Sequence, residues 1–499
     1  MRVMTNYTLR KGNPATTKTD AVVVAVGRGA KGELAVAPGG EAVAEAYGRR
    51  LLPILASAAF TGANGETLRI PSAGTVRSTH LVFVGVGELE TLSPLAIQRA
   101  AGSAARAVAA ASSVALALPA RDTDEVAACI SGFIAGGYRF TKVGKPATPG
   151  LADVILLSDG ARRAELISAF DHAQRIEDGA NRVRDWANTP PNVLTPAVFA
   201  EQASTYVTQV GVSAQILEPD ELAELGCGGI LAVGRAAANA PRLLRMTWSH
   251  ETPKLRIALV GKGITYDSGG LTIKPGSSMA TMKFDMAGAA AVIAVTRAIA
   301  DLNLEVDLRS FAPMAENAVS GDAMRPGDVI TMRDGQTVEI RNTDAEGRLI
   351  LADALSLAVE DAPDLILEIS TLTGPCVVAL GDRIAGLFGT DDAVSLIERA
   401  AASARELVWR LPVPEATVER IRSESPVADL LQHDWVRWGS ASYAAGFLAQ
   451  FVGEVPFAHL DIAGPAWNAR AAVGDQPAGA TGFGVRTLVE AVAAAAADR

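Results

Sequence analysis

Short runs of consecutive apolar residues alternate along the chain with longer runs in which apolar and polar positions recur at helical spacing. Ala21–Val26 (AVVVAV) and His80–Val86 (HLVFVGV) are followed by or contain glycine and read as strands buried on both faces. Ile97–Ala111 reads as an alanine-rich helix, and Ser113–Leu118 and Val154–Leu157 as two further strands, which together make an α/β pattern for one compact domain. The Pro/Gly/Thr stretch KPATPGLAD (145–153) predicts a loop near a boundary. Ala161–Ala187 then reads as one long helix, forced to stop at the prolines of NTPPN (188–192). From about Thr195 the alternation resumes. Leu255–Gly261, Val306–Met314 and Leu365–Ile369 are expected strands, Asp285–Ala300 and Arg348–Val359 expected helices, and Val489–Arg499 a C-terminal helix. The expected organisation is an N-terminal α/β domain over 1–160, a connecting helix over 161–190, and a larger C-terminal α/β domain over 191–499 with a central, mostly parallel sheet. On such sheets ligands sit beyond the carboxyl ends of the strands.

Composition narrows the function classes. The 499 residues amount to about three domain equivalents at roughly 150 residues each. With 49% hydrophobic and 20% charged residues the chain can build a large core, which excludes wholesale disorder. Lys plus Arg is 45 and Asp plus Glu is 55, so 45 − 55 gives a net charge of −10. That argues against a general binder of nucleic acid or anionic membranes while leaving room for a local basic patch. The mean hydropathy of +0.22 comes largely from alanine, and no uninterrupted apolar run of about 20 residues occurs. The most apolar stretch, Met286–Ala300, carries Arg297 and is bounded by Asp285 and Asp301, which suits a buried helix. The first 20 residues lack the apolar centre of a signal peptide. Cys129, Cys227 and Cys376 are odd in number and far apart, so they form no disulfide framework and fit a reducing cytoplasm. His80, His172, His250, His433 and His459 are scattered, and no HExxH, CxxC or HxH occurs, so any metal site must use other ligands.

Polar residues gather in two segments. The first is VGKGITYDSGGLTIKP (260–275), continuing to MKFD (282–285). Lys262 emerges at the carboxyl end of the expected strand Leu255–Gly261, and Gly269–Gly270 permits close backbone approach. Asp285 stands where the N-cap of the following helix belongs; taken singly, a cap and solvated lysines are the plainer reading. A phosphate-loop reading fails, because Lys262 has no GxxxxG before it and no Ser/Thr after it. The second segment is RNTDAEGRL (341–349). Asp344, Glu346 and Arg348 would share a face on a strand and diverge on a helix; Asn342, Thr343 and Gly347 favour a turn before a helix. Two carboxylates held there call for a cation, and a capped helix with surface acids is the alternative for that segment alone. Taken together, the segments offer Asp267, Asp285, Asp344 and Glu346 beside Lys262 and Lys274. Four converging carboxylates can hold two divalent ions about 3.5–4 Å apart, an arrangement suited to hydrolysis.

These motifs carry a family resemblance. VGKGITYDSGGLTIKP, MKFDMAGAAAV and NTDAEGRL resemble the signatures of the leucine aminopeptidase (cytosol aminopeptidase) family of dinuclear metallopeptidases. STLTG (370–374) and HLDIAG (459–464) resemble two further segments of that family, and the likeness extends from about Asn188 to Gly484. The eight-residue NTDAEGRL is the most specific match. The resemblance implies a small N-terminal α/β (macro-like) domain joined by a long helix to a larger α/β metallopeptidase catalytic domain. It also implies release of N-terminal amino acids, leucine and other apolar residues above all, in intracellular peptide turnover. Lys262, Asp267, Asp285 and Glu346 would hold one metal; Asp267, Asp344 and Glu346 the other, with the Asp344 carbonyl added. Lys274 and Arg348 would be the catalytic pair. Met282, Asn342, Thr371, Leu372 and Gly374 would line the substrate pocket. The implied cofactors are two divalent ions per subunit, Mn or Zn with Mg possible, and a bicarbonate on Arg348 that shuttles the proton of the attacking water. The implied assembly is a cytoplasmic homohexamer acting on peptides, away from membranes. Ser370 and Pro375 stand where the family more often has alanine, and Glu368 where Asp or Asn is usual, which bears on pocket shape.

The chemistry of these residues agrees with the implied roles. A lysine ligates a metal only as a neutral amine. For Lys262, whose ordinary pKa is about 10.4, a working value below 7 costs about 4.6 kcal/mol, which two adjacent dications can supply by repulsion. Lys274, off the metals, would stay charged and stabilise an oxyanion. Guanidinium is the natural bidentate partner of a planar anion such as bicarbonate. A free substrate amine as metal ligand would explain exopeptidase action. Two other readings compete: a dinuclear-metal phosphatase using Lys274 and Arg348 for phosphate, and a DNA-binding or regulatory second role, against which the net charge argues.

Overall fold

The structure is a computed structural model that describes residues 5–146 and 150–499. Residues 1–4, part of the N-terminal stretch scanned for a signal sequence, and 147–149, part of the expected boundary loop, lie outside the described residues. The chain forms two compact units. The first runs to Asp178 and includes Asn468–Ala478; the second comprises Gly179–Trp467 and Gly479–Arg499.

In the first unit the described strands β1 (Asn6–Arg10), β2 (Ala21–Arg28), β3 (Leu34–Val36), β4 (Thr67–Pro71), β5 (His80–Glu88), β6 (Ser113–Ala117) and β7 (Asp153–Leu157) make one sheet. Its order is β1-β7-β6-β2-β5-β4, with β3 on β2. All pairs from β1 to β5 are parallel; β4 and β3 pair antiparallel. Alternation along β2 and β5 builds two cores. Val23, Ala25, Val82 and Val84 pack with residues of the helices Pro94–Ala107 and Thr123–Gly136, while Val22, Val24, Leu81 and Phe83 pack with Leu51 and Leu55. The first of these helices starts three residues before the expected Ile97, because Pro94 occupies its first turn and the Ser93 hydroxyl accepts from Ala96 N. Asn468–Ala478 joins this unit through Asp475, which accepts from Gln98 Nε2 at 2.6 Å, and Gly474 O, which accepts from Arg106 at 2.6 Å.

The long helix expected from the sequence spans Ala164–Asn188, and the division between the units falls within it. The second unit contributes β8 (Ser213–Leu217), β9 (Arg242–Ser249), β10 (Leu255–Gly261), β11 (Gly263–Asp267), β12 (Val306–Asn317), β13 (Val329–Thr331), β14 (Thr337–Glu339), β15 (Leu365–Ser370), β16 (Ile384–Gly389), β17 (Leu407–Arg410), β18 (Leu430–Leu431) and β19 (Phe457–Asp461). The main sheet has the order β17-β16-β19-β15-β10-β12-β9-β8, with β11 on β12; β13, β14 and β18 form a small separate sheet. Its centre, β19-β15-β10-β12 with β11, is parallel throughout. Ala258 and Val260 of β10 share a core with Leu351, Ala354 and Leu355 of the helix Gly347–Glu360. The helix Ala287–Asp301 also packs on β10, β12 and β15, and the alternating residues Ile257 and Leu259 are fully buried. Among the described residues no helix is long and apolar enough to cross a membrane.

Candidate active site

The carboxyl ends of the central strands deliver the charged residues. β10 ends at Gly261 and hands over directly to Lys262; β11 ends at Asp267; β12 ends at Asn317; β15 runs into Thr371; β19 ends at Asp461. Lys262, Asp267, Asn317, Thr371 and Asp461 are all buried. The turn 341–346 precedes the helix Gly347–Glu360, as the spacing of its polar residues predicts.

Lys262 Nζ lies 3.0 and 2.9 Å from the two Asp285 oxygens and 2.9 Å from Glu346 Oε1, and donates to Thr371 O at 3.2 Å. Glycine at 347 leaves room for its passage to Glu346: a Cβ there would stand 2.6 Å from Lys262 Cε, and the lysine would have to shift. Lys274 Nζ lies 2.8 Å from Asp267 Oδ2 and 2.5 Å from Asp344 Oδ1. Its loop turns at Gly269 (φ 87°) and Gly270 (φ 62°), the close approach expected there; side chains would strike Thr272 O at 2.5 Å and Asn317 Oδ1 at 2.9 Å. Asp267, Asp344 and Glu346 each present an oxygen within 4.8 Å of the others.

One local expectation is corrected. Asp285 does not cap the helix that follows. The N-cap of Ala287–Asp301 is Met286, and Asp285 closes a short turn over Met282–Phe284. Its carboxylate is taken by Lys262 and by the Thr371 hydroxyl, which donates to Oδ1 at 2.7 Å. Charge pairing in a buried site outweighs a cap that water can replace.

The electrostatics follow from burial. Asp285, Asp344 and Glu346 are held above the ordinary carboxylate range, first by burial and further by neighbouring carboxylates, against the pull of the two lysines. Burial works to lower Lys262 and Lys274, but the carboxylates around them outweigh it and raise both. Arg348 is pushed down to about 10 by burial and remains charged at neutral pH. It donates to Gln432 O at 2.7 Å, its Cζ lies 5.9 Å from the Tyr443 ring centroid, and its buried Nε has no hydrogen-bond partner.

The residues expected at the substrate pocket divide. Thr371 joins the cluster through Lys262 and Asp285, and Asn342 Oδ1 accepts from Asp344 N at 2.9 Å. Met282 opens the short turn that leads to Asp285. Leu372 N–H donates to Asp461 Oδ1 at 3.2 Å, and Gly374 begins the helix Gly374–Leu380. Residues outside the expected ligand and pocket sets also shape the site. Asn317 Nδ2 donates to Asp267 Oδ1 at 2.8 Å and to Thr343 O at 3.0 Å, joining the two polar segments. Thr343 accepts from Thr272 N and donates to Gly269 O, both at 2.7 Å. Asp461 also accepts from the Thr373 hydroxyl at 2.6 Å and so fixes the loop after β15. Asp461 lies in the segment HLDIAG, Asn317 three residues beyond the expected strand Val306–Met314, and Gln432 in no motif.

The donor set fits divalent cations. Glu346 Oε2 is buried with no hydrogen-bond partner, and the carboxylates outnumber the lysines that face them. An acceptor left bare at that depth costs about 1–3 kcal/mol or more unless a cation takes it.

Comparison with known proteins accords with this geometry. The profile of the cytosol aminopeptidase family catalytic domain matches residues 181–489, and that of the family's N-terminal domain matches residues 22–145. Proteins named probable cytosol aminopeptidase in Streptomyces griseus and Streptomyces coelicolor are each 42% identical, over 97% and 99% of this chain and 98% and 99% of their own. Among solved structures, a mutant of tomato leucine aminopeptidase superimposes with a TM-score of 0.87 at 30% identity, covering 99% of this chain and 97% of that one. A manganese complex of the bottromycin maturation enzyme BotP gives 0.84 at 34% identity, covering 96% of this chain and all of that one. A catalytic-domain match over more than half the chain, joined to near-full-length relatives, establishes that this protein belongs to the cytosol aminopeptidase family.

Proposed function

We propose that the protein is a two-metal aminopeptidase that removes N-terminal residues, leucine and other apolar ones preferred, from peptides in the cytoplasm. The observation that carries this reading is the convergence of Asp267, Asp344 and Glu346 within 4.8 Å, with Asp267 and Glu346 buried and Asp344 half-buried, flanked by Lys262 with Asp285 and by Lys274. Lys262, Asp267, Asp285 and Glu346 are assigned to one divalent ion, and Asp267, Asp344 and Glu346 to the other. Such ions, when bound, supply Lewis-acid polarisation and make water a competent nucleophile at neutral pH.

The chain's own residues do the rest. Lys274, whose charge the carboxylates beside it favour, would stabilise the oxyanion that forms at the scissile carbonyl. Arg348 offers a buried, unpartnered Nε–H to a planar anion such as bicarbonate, which would accept the water's proton. Met282, Asn342, Thr371, Leu372 and Gly374 are assigned to the first side-chain pocket. Assembly as a homohexamer belongs to the same proposal and is checked by sedimentation.

The test is metal analysis of the purified protein, followed by assays on Leu-, Met- and Cys-Gly-type substrates after reconstitution with Mn²⁺, Zn²⁺ or Mg²⁺. Two ions per chain and turnover of amino-acid amides are expected. Turnover of phosphate monoesters in place of amides would overturn the reading.

A further inference from the structure

Besides its bonds to Asn317, Thr272 and Gly269, the turn that bears Asp344 and Glu346 takes four backbone hydrogen bonds from one further side chain, that of Gln432. Gln432 follows directly on β18 and is fully buried. Its backbone N–H donates to Glu339 O at 3.0 Å, so it stands in line with β14 and faces the turn that β14 leads into. Its Oε1 accepts from Arg341 N at 3.2 Å and from Asn342 N at 3.0 Å. Its Nε2 donates to Asn342 O at 2.7 Å and to Ala345 O at 2.9 Å. Both amide protons and both carbonyl lone pairs are used, and all four bonds go to backbone within five residues. The backbone carbonyl of the same residue accepts from Arg348 at 2.7 Å. One residue therefore grips the turn before Asp344, the peptide before Glu346, and the guanidinium after both.

We infer that Gln432 is a positioning residue that preorganises the metal-ligating turn 341–346 and Arg348. The inference rests on the two-metal reading. Asp344 and Glu346 repel one another and Asp267, and an unrestrained turn would relieve that by spreading. A clamp made of four backbone bonds opposes the spreading before any cation arrives, so the cost of ordering the ligands is already met by the fold. A neutral amide suits the task. A carboxylate there would set an oxygen against the carbonyls of Asn342 and Ala345 and add charge beside the cluster.

The test uses the full-length protein and two readouts besides turnover. The apparent Kd for Mn²⁺ is measured by competition with a chelating dye, and amide hydrogen exchange is followed at Arg341 and Asn342. In Gln432→Ala the Kd is expected to rise at least about tenfold, with exchange at both amides accelerated about tenfold or more; Gln432→Glu, which keeps an oxygen for both amides but sets the other against the two carbonyls, should raise the Kd by a similar factor. Gln432→Asn, which keeps the amide on a shorter stem, should fall between; if the alanine variant does not fold, the other two carry the test. Ile397→Ala, a fully buried position on the helix Asp391–Ala404, should lower Tm and leave the Kd within about twofold of wild type. Wild-type Kd in the folded Gln432 variants, or an equal loss in Ile397→Ala, would overturn the inference. A wild-type protein that binds no Mn²⁺ would sink the metal reading instead, and unchanged exchange at the two amides would still overturn the clamp.

Discussion

β2 and β10 occupy matching places in the two units. Each is a central parallel strand with a buried apolar run between two parallel neighbours. They differ in where they end. β2 runs out at Arg28, which donates to Thr61 O and pairs with Glu88 in an exposed position. Beyond it, the first unit spends carboxylates on local structure, as Asp122 does in capping the helix Thr123–Gly136. β10 runs into Lys262, and its neighbours bring Asp267, Asn317 and Thr371 to the same edge, all buried. The centre of the first unit's sheet is packed by apolar side chains, Val22–Val26 of β2 and Leu81–Val84 of β5. Burying charge at a strand end is costly unless it is matched, and here the match is incomplete on the acidic side. The second unit therefore gathers at one edge buried charge of a kind in which β2 does not end.

The carboxylates at the edge of the second unit's sheet should show the largest effects. Glu346→Ala and Asp344→Ala should each abolish nearly all hydrolysis, by more than about 10³-fold or ~4 kcal/mol of barrier, together with metal at one or both sites. A variant with wild-type turnover and two ions per chain would show that these carboxylates are not ligands. Lys274→Ala is expected to keep the fold and the metals and lose about 10²–10³ in kcat, the range for one oxyanion-stabilising group. Loss of metal with intact chemistry would mean that Lys262 and Lys274 have exchanged roles.

Much of this organisation is legible in the chain. β10 is predicted residue for residue, and the turn 341–346 follows from Asn342, Thr343 and Gly347, because local backbone preferences decide both. Asp285 misleads because a helix start and a buried charge pair look alike in sequence. Only the fold brings Lys262, 23 positions earlier, and Thr371, 86 positions later, against it. Gln432 and Asn317 are illegible for the same reason: their partners sit 84 to 91 and 26 to 50 positions away, and neither residue type announces a clamp.

Two smaller effects bear on the same comparison. The His433 ring is pushed down to about 4 by burial and then by the charge of Arg348, partly offset by Asp434. Its folded pKa lies below its ordinary value, so its contribution to stability is fully present above pH 6.5 and lost as pH falls through about 4. His433→Gln should flatten the decline of thermal stability between those limits by on the order of 1–2 kcal/mol, allowing for the ring's partial exposure. An unchanged acid limb would show that the ring is already solvated. In the first unit, Asp122→Ala should cost about 1 kcal/mol of stability through its lost cap and leave kcat and metal content as they were. A change in kcat there would mean that the first unit takes part in the chemistry.

The central claim is that the carboxylate cluster serves an exopeptidase, which must read the free amine of its substrate. Comparing leucine p-nitroanilide with its N-acetyl derivative under matched Mn²⁺ and bicarbonate tests it most directly. Orientation of the first peptide bond by the amine contributes several kcal/mol, on the order of the effective-molarity advantage of a bound reactant, so acetylation should abolish turnover. Equal rates on the two substrates would contradict the aminopeptidase account even if both metals were present.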